Sequence, residues 1–282
     1  MSGLLSGLSG LGLDDLENMD IFEEPEKKQA EAVQKPTVLE KDLIYEKSFT
    51  CPICDTKFNT KVMKTGKDKL VKQDKDLRPV YEVVDAQKYD VLLCPRCGYA
   101  ALSRFYSQVT PGQAKLIKEQ ITQKVQLHEY KGETYSYDEA LERYKLALAN
   151  AVVKRAKNSE KAYICLKTAW LLRGYAEELA KKSDTTPEQL DMVNAMEENH
   201  MRNAYKGFTE ACKSESFPMC GMDEVTIDYL MAVLSIRFQD LDTAGRLVAK
   251  IINSPGANAR IKDKARDLKD EILQEKKKAN NK

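Results

Sequence analysis

Hydrophobic and polar positions divide the chain into three parts with different periods. In the first part, leucines alternate with glycines and give way to acidic residues, which predicts a disordered acidic arm over residues 1–43. Short apolar runs between turn residues then predict a small β domain over residues 44–108. From residue 109 to 278, apolar side chains recur every three or four positions, which predicts a helical domain, and residues 279–282 are predicted to fray.

The β domain is predicted from runs rich in β-branched and aromatic residues. Turn signals at residues 65–68 (Thr-Gly-Lys-Asp) and 77–79 (Leu-Arg-Pro) separate these runs and indicate a β-hairpin. The predicted strands cover residues 57–63, 69–73, 80–84 and 89–93.

Seven helices are predicted from the apolar period. Thr-Pro pairs at Thr110 and Thr186 mark helix starts, because proline is tolerated in the first turn. The stretches that begin at Tyr137 and Asp240 loosely match the small–large–small spacing of the second helix of a tetratricopeptide repeat. The predicted helices are 111–129, 137–157, 159–182, a fourth from about 186 to 212, 223–238, a short sixth through residues 247–252, and 257–278.

Composition narrows the classes of function. The 282 residues include 45 Lys and Arg against 44 Asp and Glu, so the net charge is +1. This balance argues against a protein that binds nucleic acid through its whole surface. The sequence contains no run of about 18 apolar residues, so no membrane-spanning helix is predicted. The start of the chain also lacks the positively charged region of a signal peptide. A cytoplasmic location without a membrane partner is therefore expected.

The four cysteines of the β domain carry the clearest chemical signal. They form two Cys-x-x-Cys pairs, Cys51/Cys54 and Cys94/Cys97, and each pair can present two thiolates from one tight turn. Two such turns supply the four ligands of a structural Zn²⁺ and leave no position for a catalytic water. The 39 residues between the pairs exceed the usual spacing, and the predicted hairpin accounts for them. One structural zinc ion bound by all four cysteines is the prediction.

Two other chemistries fit the same cysteines. Iron in a rubredoxin-like site uses the same ligands, and a thiol–disulfide redox protein uses Cys-Pro-x-Cys as its dithiol. Zinc is favoured over redox chemistry because the motif occurs twice and neither copy lies in a βαβ pattern. Cys165 and Cys212 are predicted on apolar helix faces, and Cys212 with Cys220 is a further candidate redox pair.

A local excess of positive charge suggests an alternative partner. Between Asp55 and Arg78, eight basic residues face four acidic ones, and a basic hairpin over Lys57–Arg78 could bind nucleic acid. The acidic residues that interrupt the run favour a solvated hairpin instead. The candidate nucleic-acid contacts are Lys61, Lys64, Lys67, Lys69 and Lys72.

Signals for catalysis are sparse. The chain has only two histidines, His128 and His200, and neither a phosphate-binding glycine loop nor a nucleophile elbow occurs. Arg173, beside Trp170 in the third predicted helix, is interpreted as part of a partly buried structural ion pair. The protein is therefore expected not to be an enzyme.

The residues around the cysteine pairs resemble a known family. Cys-Pro-Ile-Cys at 51–54, Lys-Phe at 57–58, Tyr-Asp-Val at 89–91 and Cys-Pro-Arg-Cys-Gly-Tyr-Ala-Ala at 94–101 resemble a bacterial family of unknown function. Its members join a four-cysteine knuckle domain to tetratricopeptide-like helices, and the resemblance covers roughly residues 45–275. The first pair departs from the family pattern, since Asp55 stands where glycine is commoner. The resemblance implies the fold and the metal, and it implies no reaction.

These features together predict an α+β chain that is mostly α. A zinc-ribbon-like β domain would precede an antiparallel, tetratricopeptide-like helical array. The expected function is that of a non-enzymatic, zinc-containing interaction or scaffold protein. A protein or peptide partner would bind either the concave face of the array or the zinc hairpin.

Overall fold

Three antiparallel strand pairs precede seven α-helices in residues 38–280, the residues that this computed structural model describes, with side chains as far as residue 278. The chain is α+β and mostly α, as predicted. The predicted arm up to residue 37 lies outside the described residues, as do residues 281–282 of the predicted tail. Glu40–Leu43, which the sequence assigns to the arm, forms a 3-10 turn that buries Leu43.

The strands form three separate two-stranded sheets, and each sheet is a hairpin. In the first, Ile44 lies opposite Met63 and Thr50 lies opposite Lys57. The sheets are β1 (Ile44–Thr50) with β2 (Lys57–Met63), β3 (Leu70–Gln73) with β4 (Pro79–Tyr81), and β5 (Val91–Leu93) with β6 (Ala100–Leu102).

The interpretation of Lys57–Arg78 as one basic hairpin is wrong. Strand β2 pairs with β1, and β3 pairs with β4, so the segment is divided between two sheets. The prediction failed because β1 is mostly exposed and its apolar residues lie at its two ends rather than at alternate positions, so it lacks the pattern that marks a strand. Arg78 is also buried, with 3% of its surface exposed, so it is not part of a solvated basic face.

The helices follow the apolar period closely. Ser136 and Glu139 cap the second helix reciprocally, and Thr110 and Thr186 cap the first and fourth in the same way. No helix within residues 38–280 combines the length and the apolar character needed to cross a membrane. The helices are α1 (Pro111–Ile117), α2 (Tyr137–Val153), α3 (Asn158–Leu179), α4 (Pro187–Ser214), α5 (Glu224–Arg237), α6 (Leu241–Asn253) and α7 (Ala259–Asn280).

The first predicted helix is too long. Helix α1 ends at Ile117 and passes into a π turn, Lys118–Thr122, after which no helix forms until α2. The apolar period predicts a longer helix because it counts Val125 as part of the helix face. In the structure, the Val125 side chain packs against the backbone at Gly98 instead. Tertiary packing therefore ends the helix earlier than the pattern indicates.

The strands and the helices share hydrophobic core. Val91, Ala100 and Leu102 of the third sheet pack in one cluster with residues of α2 and α3 such as Leu141 and Leu171. This packing fixes the second cysteine pair, which lies between β5 and β6, against the helices.

The end of β3 and the turn that follows it, here called the strap (residues 73–78), are held to α3 by partly buried ion pairs. Arg173 of α3 donates to Asp76 at 2.7 Å, which confirms the predicted ion pair of this arginine. Arg78 donates two hydrogen bonds to Glu177, at 2.8 and 2.7 Å. Two parallel bonds between a guanidinium and a carboxylate fix orientation as well as distance.

The strap also reaches the last helix. Lys75 forms an ion pair with Glu271 of α7 at 2.9 Å, and Lys264 donates to Gln73 at 3.2 Å. Leu77 packs against apolar clusters of the central and C-terminal helices. A segment of the β region therefore contacts both α3 and α7.

Candidate metal centre and groove

The first cysteine pair lies in the tight turn that joins β1 to β2, here called the first knuckle. The Cys51 N–H donates to the carbonyl of Thr56 at 3.0 Å, and the Asp55 N–H donates back to the carbonyl of Cys51 at 2.9 Å. Asp55 adopts a left-handed backbone, with φ +56°. This conformation lets the chain leave the turn and enter β2.

The second knuckle joins β5 to β6 and repeats the same backbone pattern. The Cys94 N–H donates to the carbonyl of Tyr99 at 2.9 Å, and the Gly98 N–H donates to the carbonyl of Cys94 at 3.1 Å. Gly98 has φ +71°, and a Cβ placed on it would lie 2.6 Å from Val125 Cγ1. Both the backbone and the space therefore require glycine here.

The two knuckles face each other and bring all four predicted ligands together. Their sulfurs lie within 4.8 Å of one another, with 3.5 Å between Cys51 and Cys97 and 3.6 Å between Cys54 and Cys94. A tetrahedron with Zn–S bonds of about 2.3 Å places its sulfurs about 3.8 Å apart. The four thiols are free, since a disulfide needs about 2.05 Å between sulfurs. The donor set fits a metal ion that prefers four thiolates.

Contacts among the sulfurs set the ionisation of the cluster. Hydrogen bonds from Cys94 and Cys97 hold the pKa of Cys51 far below its usual value. Contact with Cys51 raises the pKa of Cys97, and burial adds to that rise. The Ile53 N–H also points at the Cys51 sulfur, at 3.4 Å. The neighbouring sulfurs therefore favour ionisation of Cys51 and raise the pKa of Cys94 and Cys97, so a metal that binds the cluster must displace protons from these two thiols.

Three residues that the sequence interpretation missed hold the second knuckle. Asn150 of α2 donates to the carbonyl of Gly98 at 3.0 Å, Thr122 donates to the carbonyl of Cys97 at 3.0 Å, and Val125 contacts Gly98. Asn150 is fully buried. Its one signal in the sequence is a polar residue on the apolar face of a predicted helix.

The remaining cysteines are separate from the cluster. Burial raises the pKa of Cys165 to about 11 and that of Cys220 to about 12, so both are protonated and weakly nucleophilic at neutral pH. The prediction that Cys212 lies on an apolar face is wrong: it is exposed, and its neighbour Ala211 occupies the buried position.

Three of the five candidate nucleic-acid contacts are paired within the protein, and one of the three, Lys72, is nevertheless exposed. Lys67 and Lys69 are exposed and belong to the loop that follows β2. The other three make contacts within the protein: Lys61 with the carbonyl of Gly132, Lys64 with the carbonyl of Asp42 at 2.8 Å, and Lys72 with Asp74 at 3.2 Å.

An apolar depression lies between α2, α3 and α4 and is here called the groove. It has a volume of about 400 Å³, and Met192 on its edge has 61% of its surface exposed. Asp138, Glu142 and Lys145 provide charge along the α2 side. Its apolar lining consists of Leu141, Leu172, Tyr175, Leu179, Met192, Val193 and Met196.

The fold and the site define a class of protein in which a four-cysteine candidate metal centre is built onto a helical region. The chain belongs to the family described as an uncharacterized protein conserved in bacteria (DUF2225), whose model matches residues 44–272. The predicted family resemblance is thus confirmed, and the matched region includes all four clustered cysteines. No curated protein and no solved structure matches the chain.

Proposed function

We propose that this protein is a non-enzymatic interaction protein of the cytoplasm. One structural zinc ion holds the two knuckles together, and the groove binds an apolar segment of a partner protein. The observation that carries the proposal is a four-sulfur cluster built onto the same helix, α2, that forms one wall of an exposed apolar groove.

The geometry of the sulfurs supports a structural role for the metal. Four thiolates complete the tetrahedral coordination of zinc, so no position remains for a water or a substrate. Cys51, Cys94 and Cys97 are buried and Cys54 is partly buried, which suits an ion that cross-links two turns. Free thiols of this kind persist in a reducing compartment, which supports a cytoplasmic location.

The lining of the groove supports the binding of an apolar segment. Apolar side chains that remain exposed in a concave surface mark sites of interaction. Met192 and Met196 are flexible and polarisable, so they can adapt to the shape of a partner's side chains. The volume lies within the range of about 300–1,000 Å³ that is typical of ligand pockets.

Zinc content tests the first half of the proposal. We expect about one zinc per chain in the purified full-length protein by elemental mass spectrometry, because the four sulfurs form one tetrahedral site. Cys54→Ser should lose most of the metal, and Cys212→Ser, the matched control outside the cluster, should retain it. Metal-free protein with two disulfides would favour the redox alternative, and iron in place of zinc would revise the metal.

A matched pair of surface substitutions tests the second half. Met192→Glu places a charge in the groove, whereas Val152→Glu places one at an equally exposed apolar position elsewhere, 59% against 61% exposed. A partner recovered by affinity purification and identified by mass spectrometry should bind the Val152 variant and not the Met192 variant. Salt-sensitive RNA or DNA binding that is lost in Lys67→Glu/Lys69→Glu would instead favour the nucleic-acid alternative.

A further inference from the structure

We infer that Asn150 is a positioning residue for the second knuckle, and that α2 thereby links metal binding to the groove. The inference rests on the proposed zinc site and groove. It assigns a role to a residue that lies outside the four ligands and outside the groove.

Asn150 makes a specific contact inside an apolar core. Its Nδ2 donates to the carbonyl of Gly98 at 3.0 Å and to the carbonyl of Leu146 at 2.9 Å. The residue is fully buried, and its Oδ1 has no hydrogen-bond partner. A buried amide with an unpaired oxygen is unfavourable for stability, so packing does not explain an asparagine at this position. The contact with Gly98, which directly follows the ligand Cys97, does explain it.

Two further side chains of the helical region, those of Thr122 and Val125, contact the backbone of the second knuckle at Cys97 and Gly98. Thr122 donates to the carbonyl of Cys97 at 3.0 Å, and Val125 leaves no space for a Cβ at Gly98. The carbonyls of two successive residues, Cys97 and Gly98, are therefore both held by side chains from the helical region. The second knuckle is docked in this way before any metal arrives.

Among the described residues, no side chain of the helical region donates to a carbonyl of the first knuckle, which is held instead by the packing of Ile53 in an apolar core with Ile117. The hydroxyl that contacts the Cys54 sulfur, at 3.3 Å, belongs to Thr56 of the same turn, and Asp55 is exposed. We therefore expect the two knuckles to differ in mobility when metal is absent. The second stays on the helices, and the first closes over the ion.

Helix α2 connects this contact to the groove. Asn150 lies in its C-terminal half, and Leu141, Glu142 and Lys145 line the groove from its N-terminal half. Without metal, no ion bridges the two knuckles, so the second knuckle is held only by its contacts with the helical region. The contact between the Asn150 amide and the carbonyl of Gly98 then opens more often, so α2 is less stable and the groove that it lines is less ordered. Because linkage is reciprocal, a ligand that stabilises α2 raises the affinity for the metal.

Zinc affinity tests the positioning role. We would titrate zinc-loaded full-length protein with a chromophoric chelator and compare Asn150→Ala with Asn203→Ala. Asn203 is the matched control, because it also donates to a backbone carbonyl of its own helix, at 2.9 Å, but is exposed on α4. We expect affinity to fall about 10–100-fold in the Asn150 variant and to stay within about twofold in the control. Thr122→Val, at a partly exposed position, should weaken binding in the same direction and serves if Asn150→Ala does not fold.

Hydrogen exchange tests the linkage itself. In the wild type, zinc removal should increase amide exchange over residues 137–153 and leave residues 241–253 of α6 unchanged. In Asn150→Ala, exchange over α2 should no longer respond to zinc, a readout that a general loss of stability would not produce. Unchanged zinc affinity in both the Asn150 and Thr122 variants, or no response of α2 to zinc in the wild type, would overturn the inference. A wild type that takes up no zinc would contradict the proposed function instead.

Discussion

Asp55 and Gly98 occupy the same position in the two knuckles, and both have a left-handed backbone, with φ of +56° and +71° respectively. The hydrogen bonds around them match, since each N–H donates to the carbonyl of the first cysteine of its own turn. A side chain in this conformation is unfavourable, whereas glycine adopts it freely. The first knuckle therefore carries strain that the second does not.

Replacing this aspartate should stabilise the protein. We expect Asp55→Gly to raise the free energy of unfolding of the zinc-loaded protein by about 1 kcal/mol in urea denaturation. Gly66→Ala is the opposite control. Its φ is +68° and no atom lies within 4 Å of an added Cβ, so strain alone should destabilise that variant. A loss of stability in Asp55→Gly would show that the Asp55 side chain stabilises the knuckle by more than the backbone strain destabilises it.

Replacing each of two helical glycines by alanine should change the stability of the protein in opposite directions. A Cβ on Gly174 of α3 would lie 2.8 Å from the Tyr137 hydroxyl and still closer to Asp85, so Gly174→Ala should destabilise by about 2 kcal/mol. Gly245 of α6 has nothing within 4 Å, so Gly245→Ala should stabilise by about 1 kcal/mol through helix propensity. Thermal unfolding of the two variants checks both signs. Equal effects would mean that the space around Gly174 adjusts.

The stability contributed by the bidentate pair of Arg78 and Glu177 should depend on the planar guanidinium group and not on positive charge alone. Arg78→Lys keeps the charge but loses the two parallel bonds to Glu177, and we expect a loss of about 2 kcal/mol in urea denaturation. Lys75→Ala removes the exposed pair with Glu271 and should change stability by about 0.5 kcal/mol or less. If both variants had the same small effect, burial of Arg78 would not be a source of stability.

Acid should weaken the contact between α4 and α5. Burial acts to raise the pKa of Glu197, but hydrogen bonds from Arg237 and Arg173 outweigh it and hold the pKa below the usual 4.5. The stability that this carboxylate contributes is therefore present above pH 4.5 and is lost as the pH falls below that value. Glu197→Gln should cost about 1–2 kcal/mol at pH 7, because it removes the charge that Arg173 and Arg237 share, while both partly exposed guanidinium groups keep other carboxylate partners.

The pH dependence separates this effect from a general loss of packing. The difference between wild type and Glu197→Gln should shrink as the pH falls below 4.5, since the wild-type carboxyl then becomes neutral as well. Glu210→Gln, at an exposed pair with Lys213, should match the wild type at every pH. Chemical denaturation at several pH values measures all three proteins.

Most of the helices and all four clustered cysteines could be predicted from the sequence, because each leaves a local pattern. Apolar periodicity and Thr-Pro caps place α4 close to its observed start at Pro187, and the Cys-x-x-Cys spacing places the sulfurs. Strand β1 and Asn150 could not be predicted in the same way. The strand is mostly exposed with its apolar residues at its two ends, and the role of Asn150 depends on a carbonyl 52 positions away in the chain.

The strap sets a limit on how the helical region can vary in size. In an open solenoid, a further helical pair extends the stack without disturbing the other repeats. Here one short turn holds Asp76 to α3 and Lys75 to α7, and these attachments span the row of helices between them. An inserted pair would carry Glu271 about 20 Å further away, at roughly 10 Å per packed helix, well beyond the reach of Lys75. The β region therefore contacts both α3 and the last helix, and an inserted pair would cost the strap its contacts with α7.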